Sequence, residues 1–132
     1  MNSQPLIAGT ELPPLVIEPI TRKTLALFAG ASGDHQPTHI DIDAARAKGR
    51  SDVIAHGMLM MAYMSRMLTE VVPQQRIRSF KARFVAMTPV HAQPTCTGRV
   101  AARDGDLATI DLAVTLADGT VVAKGEAVVV LP

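Results

Sequence analysis

Beyond Pro73 the chain alternates apolar and polar residues with a period of two. From Arg76 to Met87, Phe80, Ala82, Phe84 and Ala86 share one face, with Ser79, Lys81 and Arg83 on the other. Segments of the same kind run from Thr95 to Asp104, Leu107 to Ala117 and Thr120 to Leu131. In the second of these Ala108, Ile110, Leu112, Val114 and Leu116 oppose Thr109, Asp111 and Thr115. Asp104-Gly105 and Asp118-Gly119 separate the segments, and Asp-Gly supplies the positive φ that a tight hairpin needs. The pattern predicts an antiparallel meander with one apolar face.

The first half has a helical period. Four prolines (Pro5, Pro13, Pro14, Pro19) keep residues 1–20 extended, with a short strand near Leu15 to Ile17. Thr21 can cap a helix running to about Ala31, with Leu25, Phe28 and Ala29 on one face and Gly33 after its end. A short helix from Asp43 to Lys48 is expected next, capped by Asp43 and stopped by Gly49. The longest helix spans Gly57 to Val72, closed by Pro73. Met58, Leu59, Met60, Met61, Ala62, Tyr63 and Met64 give its first turns no polar face, so it is expected to be enclosed on most sides. An antiparallel sheet with one apolar face needs a cover, and this helix is the candidate. The fold class is therefore α+β: a sheet wrapped around a central helix, the hot-dog architecture.

Composition narrows the function. At 132 residues the chain is one domain, 1–132. Net charge of +1 implies neither nucleic acid nor a membrane surface as partner. Met1 to Leu6 has no basic region followed by an apolar run, so no signal peptide is expected. One cysteine, Cys96, fits a packed residue in a reducing, cytoplasmic setting. The apolar fraction of 48% is high for a chain this short and points to a subunit interface.

Candidate chemistry gathers between Phe28 and Ser65, which holds three of the four histidines, His35, His39 and His56, together with Asp34 and Asp41. Pro37 forbids a regular helix there and holds Asp34 and His39 on a bent loop that can aim both at one place. His35 is expected to face solvent. Gly57 opens a helix whose first N–H groups lack partners, a natural site for developing negative charge. Arg46, Lys48 and Arg50 make the preceding segment basic, which reads first as a solvated face and second as a phosphate contact. A zinc site from His35 and His39 would need the regular spacing that Pro37 breaks, so no metal or other cofactor is expected.

Ser32-Gly33-Asp34-His35-Gln36-Pro37-Thr38-His39-Ile40-Asp41 resembles the S-G-D-x-N-P-x-H-x-D signature of the MaoC-like acyl dehydratases, the family of (R)-specific enoyl-CoA hydratases. Ala55-His56-Gly57-Met58 resembles their A-H-G-M entrance to the central helix, and Gly125-Glu126-Ala127 a piece of their last strand. The likeness covers the chain from about Gly9 onward. It implies Asp34 and His39 as the catalytic acid–base pair and the Gly57 N–H as the oxyanion donor. Ser65, His56 and Gln36 are implied as substrate contacts. Gln36 stands where the family usually has Asn, and Pro89 to Pro94 replaces a usual Pro-Gly-Asp turn. The implied substrate is an acyl-CoA, or an acyl carrier protein thioester, and the implied assembly a homodimer. The implied reaction is hydration of a trans-2-enoyl thioester, in fatty acid metabolism. Two rivals use the same architecture: a thioesterase, in which the carboxylate activates water against the carbonyl, and a non-catalytic acyl-thioester binding subunit.

Overall fold

A computed structural model describes residues 5–131; the start of the chain from Met1 to Gln4, expected to be extended, lies outside the described residues. Strand β1 (Leu15–Val16) precedes helix α1 (Arg22–Ser32). The Thr21 hydroxyl accepts from the Thr24 N–H at 3.1 Å, a cap worth about 1 kcal/mol. Gly33, at φ 78°, ends the helix and donates to the Ala29 carbonyl at 3.0 Å. This left-handed turn releases the chain into the loop that carries Asp34.

Helix α2 spans Ile42–Ala47, and its cap is Asp41, not Asp43. The Asp41 carboxylate accepts from the N–H groups of Asp43 and Ala44 at 2.9 and 3.4 Å. A 3-10 turn over Pro37–His39 delivers Asp41 already extended, at φ −111° and ψ 110°, the geometry a cap requires, so the helix begins earlier than the expected cap.

Helix α3 spans Gly57–Thr69, three residues short of the expected end at Val72. Pro73 disfavours helical geometry at the residue before it, and the last turn closes through N–H groups of Val71 and Val72 on the Leu68 carbonyl. Leu59, Met60, Met64, Met67 and Leu68 are buried. Met58 is 55% exposed and Ala62 is also exposed, so α3 is less enclosed than its composition suggested: the sheet covers one side of it.

Strands β2 (Ile77–Phe84), β3 (Pro94–Asp104), β4 (Leu107–Leu116) and β5 (Val121–Val130) complete an antiparallel sheet of order β1-β3-β4-β5-β2. The expected face of β4 (Ala108, Ile110, Leu112, Val114 and Leu116) is buried throughout. It packs with Val100 and Cys96 of β3 and Ala127 and Val129 of β5 into one core with α3. The architecture is the hot-dog fold. Gly105 and Gly119 adopt φ of 58° and 91° at the two hairpins, and Asp118 accepts from the Thr120 N–H at 2.9 Å. Cys96 is fully buried, and that burial pushes its thiol up to about 11, so it is a packed core residue. Among the described residues no helix is long and apolar enough to cross a membrane.

Two glycines let α3 lie close to the sheet. A Cβ at Gly98 would stand 3.0 Å from the Met67 methyl, and one at Gly125 would stand 3.0 Å from the Met64 sulfur and 2.9 Å from the Lys81 carbonyl oxygen.

Candidate active site

Three separate segments build the site: the loop after α1, the 3-10 turn, and the chain entering α3. The loop turns back on itself at Asp34. Its N–H donates to the Ser32 hydroxyl at 3.2 Å, and its Oδ1 accepts from the Gln36 N–H at 3.2 Å. One carboxylate oxygen is thereby held by the loop. The other, Oδ2, lies 3.7 Å from His39 Nε2.

His39 is fixed from behind. Its Nδ1 lies 2.7 Å from the Ile54 carbonyl oxygen. A carbonyl can only accept, so Nδ1 carries a proton. In the neutral ring Nε2 then presents a lone pair on the side of Asp34. The 3.7 Å separation is too long for a direct hydrogen bond, but it lets Nε2 and Oδ2 both reach a single small oxygen between them.

His56 sits behind this pair. It is 1% exposed, its Nε2 donates to the Asp34 backbone carbonyl at 3.1 Å, and its ring stacks on His39 with centroids 3.9 Å apart and planes 21° off parallel. Phe28 closes its other side edge-on at 4.9 Å. Its Nδ1 is buried without a partner among the described residues. Burial above all lowers the His56 pKa, with the charge of His39 acting in the same direction, and the Asp34 carbonyl and carboxylate oppose them. The ring is therefore held neutral. With almost no exposed surface, His56 has nothing to offer a substrate directly; it holds the Asp34 carbonyl with one edge and the His39 ring with its face.

Gly57 is the first residue of α3, and His56 before it provides no side-chain cap. The first-turn N–H of Gly57 therefore belongs to the partly positive end of the helix. A Cβ here would stand 2.9 Å from the Phe84 ring, so any larger residue must push that ring aside. His39 and Gly57 line a common cavity of about 230 Å³, whose other walls are largely apolar and include Met60, Phe84, Met87 and Val122.

Neither Ser65 nor Gln36 lines this cavity. The Ser65 hydroxyl donates to the Ala62 carbonyl at 2.7 Å, and Ser65 borders a different cavity with Thr69, Gln74, Ile77 and Phe80. Two turns of helix separate it from Gly57, about 12 Å along the axis. Gln36 is exposed and contributes its backbone N–H to the loop. His35 is exposed, as expected. Sequence reasoning did not assign the Ile54 carbonyl, Phe28 or Phe84 to the site. Phe28 and Phe84 showed only as members of apolar faces, and a backbone carbonyl has no signal in a sequence.

One ligand atom each from Asp34, His39 and His56 lies within 4.8 Å of the others. The group does not suit a metal. Ring nitrogens bind metals in the plane of the imidazole, and two stacked rings point their lone pairs side by side rather than at one point. The His56 Nε2 proton is moreover committed to a carbonyl.

The model of the MaoC-like domain matches residues 9–118. Among curated proteins, the chain is 34% identical over 120 residues to the (R)-specific enoyl-CoA hydratase of Rhodospirillum rubrum, covering 86% of this chain and 81% of that one. It is 32% identical over 84 residues to the 3-hydroxyacyl-thioester dehydratase Z of Mycobacterium tuberculosis, covering 59% of this chain and only 56% of that protein's length. Among solved structures, the (R)-hydratase from A. caviae involved in PHA biosynthesis superposes with a TM-score of 0.88 at 27% identity, covering 98% of this chain and all of the other. The signature around Asp34 and His39, the helix opened by Gly57 and the sheet that wraps it thus have one common explanation: the chain belongs to the MaoC-like domain family.

Proposed function

We propose that the chain is a hydro-lyase that reversibly adds water, with (R) specificity, to the double bond of a trans-2-enoyl thioester. The observation that carries this reading is the pairing of His39 Nε2 and Asp34 Oδ2 at 3.7 Å, with His39 on the wall of the same cavity as Gly57. Water held between the two side chains attacks C3 and gives a proton to Nε2. Nε2 passes this proton to Oδ2, which delivers it to C2, so the ring and the carboxylate both end as they began. The Ile54 carbonyl supports the protonated ring from the far side. Negative charge developing on the thioester oxygen is met by the Gly57 N–H, a contact of a kind worth ~100–1000-fold in rate. The apolar walls suit an acyl chain. Exposed apolar side chains around the site, Ile40, Met58, Phe84 and Met87 among them, support a homodimer as the working form.

The test is a trans-2-enoyl-CoA followed by two signals. Loss of conjugated absorbance without release of thiol is expected. Thiol release would make the chain a thioesterase, and neither signal, with the substrate bound, would make it a binding subunit.

A further inference from the structure

Arg50 is a half-buried cation with no carboxylate partner among the described residues. It follows the left-handed turn at Gly49, and its N–H donates to the Ala45 carbonyl at 3.1 Å, which anchors it to the end of α2. From there the side chain reaches across the edge of the site. Nη1 donates to the Thr38 hydroxyl at 3.1 Å, and Nε points at the Met87 sulfur at 3.4 Å, a weak acceptor. Among the described residues no acid forms an ion pair with it. Asp52, two residues on, is occupied by both arms of Arg22 at 2.9 and 2.6 Å and by the Val53 N–H at 2.7 Å. The two side chains that Arg50 touches frame the site: Thr38 directly precedes His39, and Met87 lines the cavity shared by His39 and Gly57. The guanidinium thus stands at the rim of the cavity with N–H groups left over. Such a fork suits an acceptor oxygen, above all an anionic one.

The geometry points to Arg50 as the residue that receives the polar arm of the thioester, binding an acceptor oxygen beyond the amide nearest the sulfur. The inference rests on the hydro-lyase reading of the same site. It names a phosphopantetheine-type arm as the feature recognised, whose oxygens are either amide and hydroxyl groups or phosphate. A solvated surface arginine would leave the choice of arm without effect.

The experiment compares one enoyl acid carried on CoA, on pantetheine and on N-acetylcysteamine. Arg50→Gln should raise KM for the CoA thioester about tenfold, the size of one charge-assisted hydrogen bond, with kcat within about twofold and the N-acetylcysteamine thioester unaffected. If the pantetheine thioester shares the loss, the acceptor is an amide or hydroxyl oxygen; if it does not, the acceptor is phosphate. An unchanged KM on CoA overturns the inference. So does an equal loss on all three thioesters, because Arg50 would then act through Thr38 on the His39 turn. Arg50→Lys keeps the cation and serves if Arg50→Gln does not fold; its KM for the CoA thioester should rise by less. Titration with CoA itself gives a readout without turnover. If the wild type hydrates none of the thioesters, the hydro-lyase reading falls, while equal Kd for CoA in wild type and variant overturns the role of Arg50 separately.

Discussion

Replacing His56 by Phe separates positioning from stability. Phe retains a flat ring to stack on His39 but removes both nitrogens. Losing Nε2–H leaves the Asp34 carbonyl without its buried donor, a cost of about 1–3 kcal/mol. Losing Nδ1 removes a buried acceptor that has no partner, which returns a similar amount. The two nearly cancel, so Tm at neutral pH should move by only a few degrees. Catalysis has no such compensation. With its carbonyl released, the Asp34 loop is free to shift against His39, and a misplacement near 1 Å costs about 100-fold. The expected result is kcat lowered roughly 10–100-fold, with KM little changed. Acid behaviour gives a second readout. The folded pKa of His56 lies below its unfolded value, so the unfolded state takes up a proton first as pH falls. Wild-type stability is full above the unfolded pKa of about 6.5 and declines below it, toward the folded pKa. His56→Phe should lack that part of the decline. Thermal melts from pH 8 to 5 and steady-state hydration of an enoyl-CoA measure both effects. A variant with normal kcat and a greatly lowered Tm would refute the reasoning, because His56 would then be a core residue and nothing more.

Other substitutions test the remaining parts. Asp34→Asn and His39→Ala should each lower kcat by at least ~100-fold, and the double variant should be little worse than the poorer single, because the proposed mechanism makes the two one unit; multiplying losses in steady-state assays would mean independent roles. Gly57→Pro deletes the N–H, but its Cβ also meets Phe84 at 2.9 Å, so Gly57→Ala is the needed control. Alanine keeps the donor, and proline should be slower than alanine by a further ~100-fold in kcat, or Gly57 is not the oxyanion donor. Sedimentation should find a dimer at micromolar concentration; a stable monomer with full activity would count against the proposed assembly.

What the sequence made legible were features fixed by near neighbours. Thr21 and Gly33 bracket α1 because caps act over three or four residues, and the alternation in β4 survives because one face is buried from end to end. Pro37 marked the bent turn for the same reason, and the structure brings Asp34 and His39 together there. Choosing Asp41 over Asp43 as the cap needed the backbone angles that the turn imposes, which two nearby aspartates do not reveal. His56 meets Asp34 across 22 residues, and Phe84 meets Gly57 only because β2 lies at the edge of the sheet beside β5. No local pattern encodes such meetings. Ser65 lies on the expected helix, but how far along it a hydroxyl meets a given cavity is set by packing, and here it borders a second one.

The bare position at Gly125 has a reach beyond its own strand. A methyl there would press on the Lys81 carbonyl, part of the backbone of β2, and on the Met64 sulfur of α3 at once. The sulfur can swing aside, but the backbone oxygen cannot move without its strand. Displacing β2 carries Phe84 with it, and Phe84 is the ring that rests on Gly57. Random substitution is therefore censored at Gly125 by chemistry performed elsewhere, and a library screened for turnover would find that site closed even though it touches no substrate.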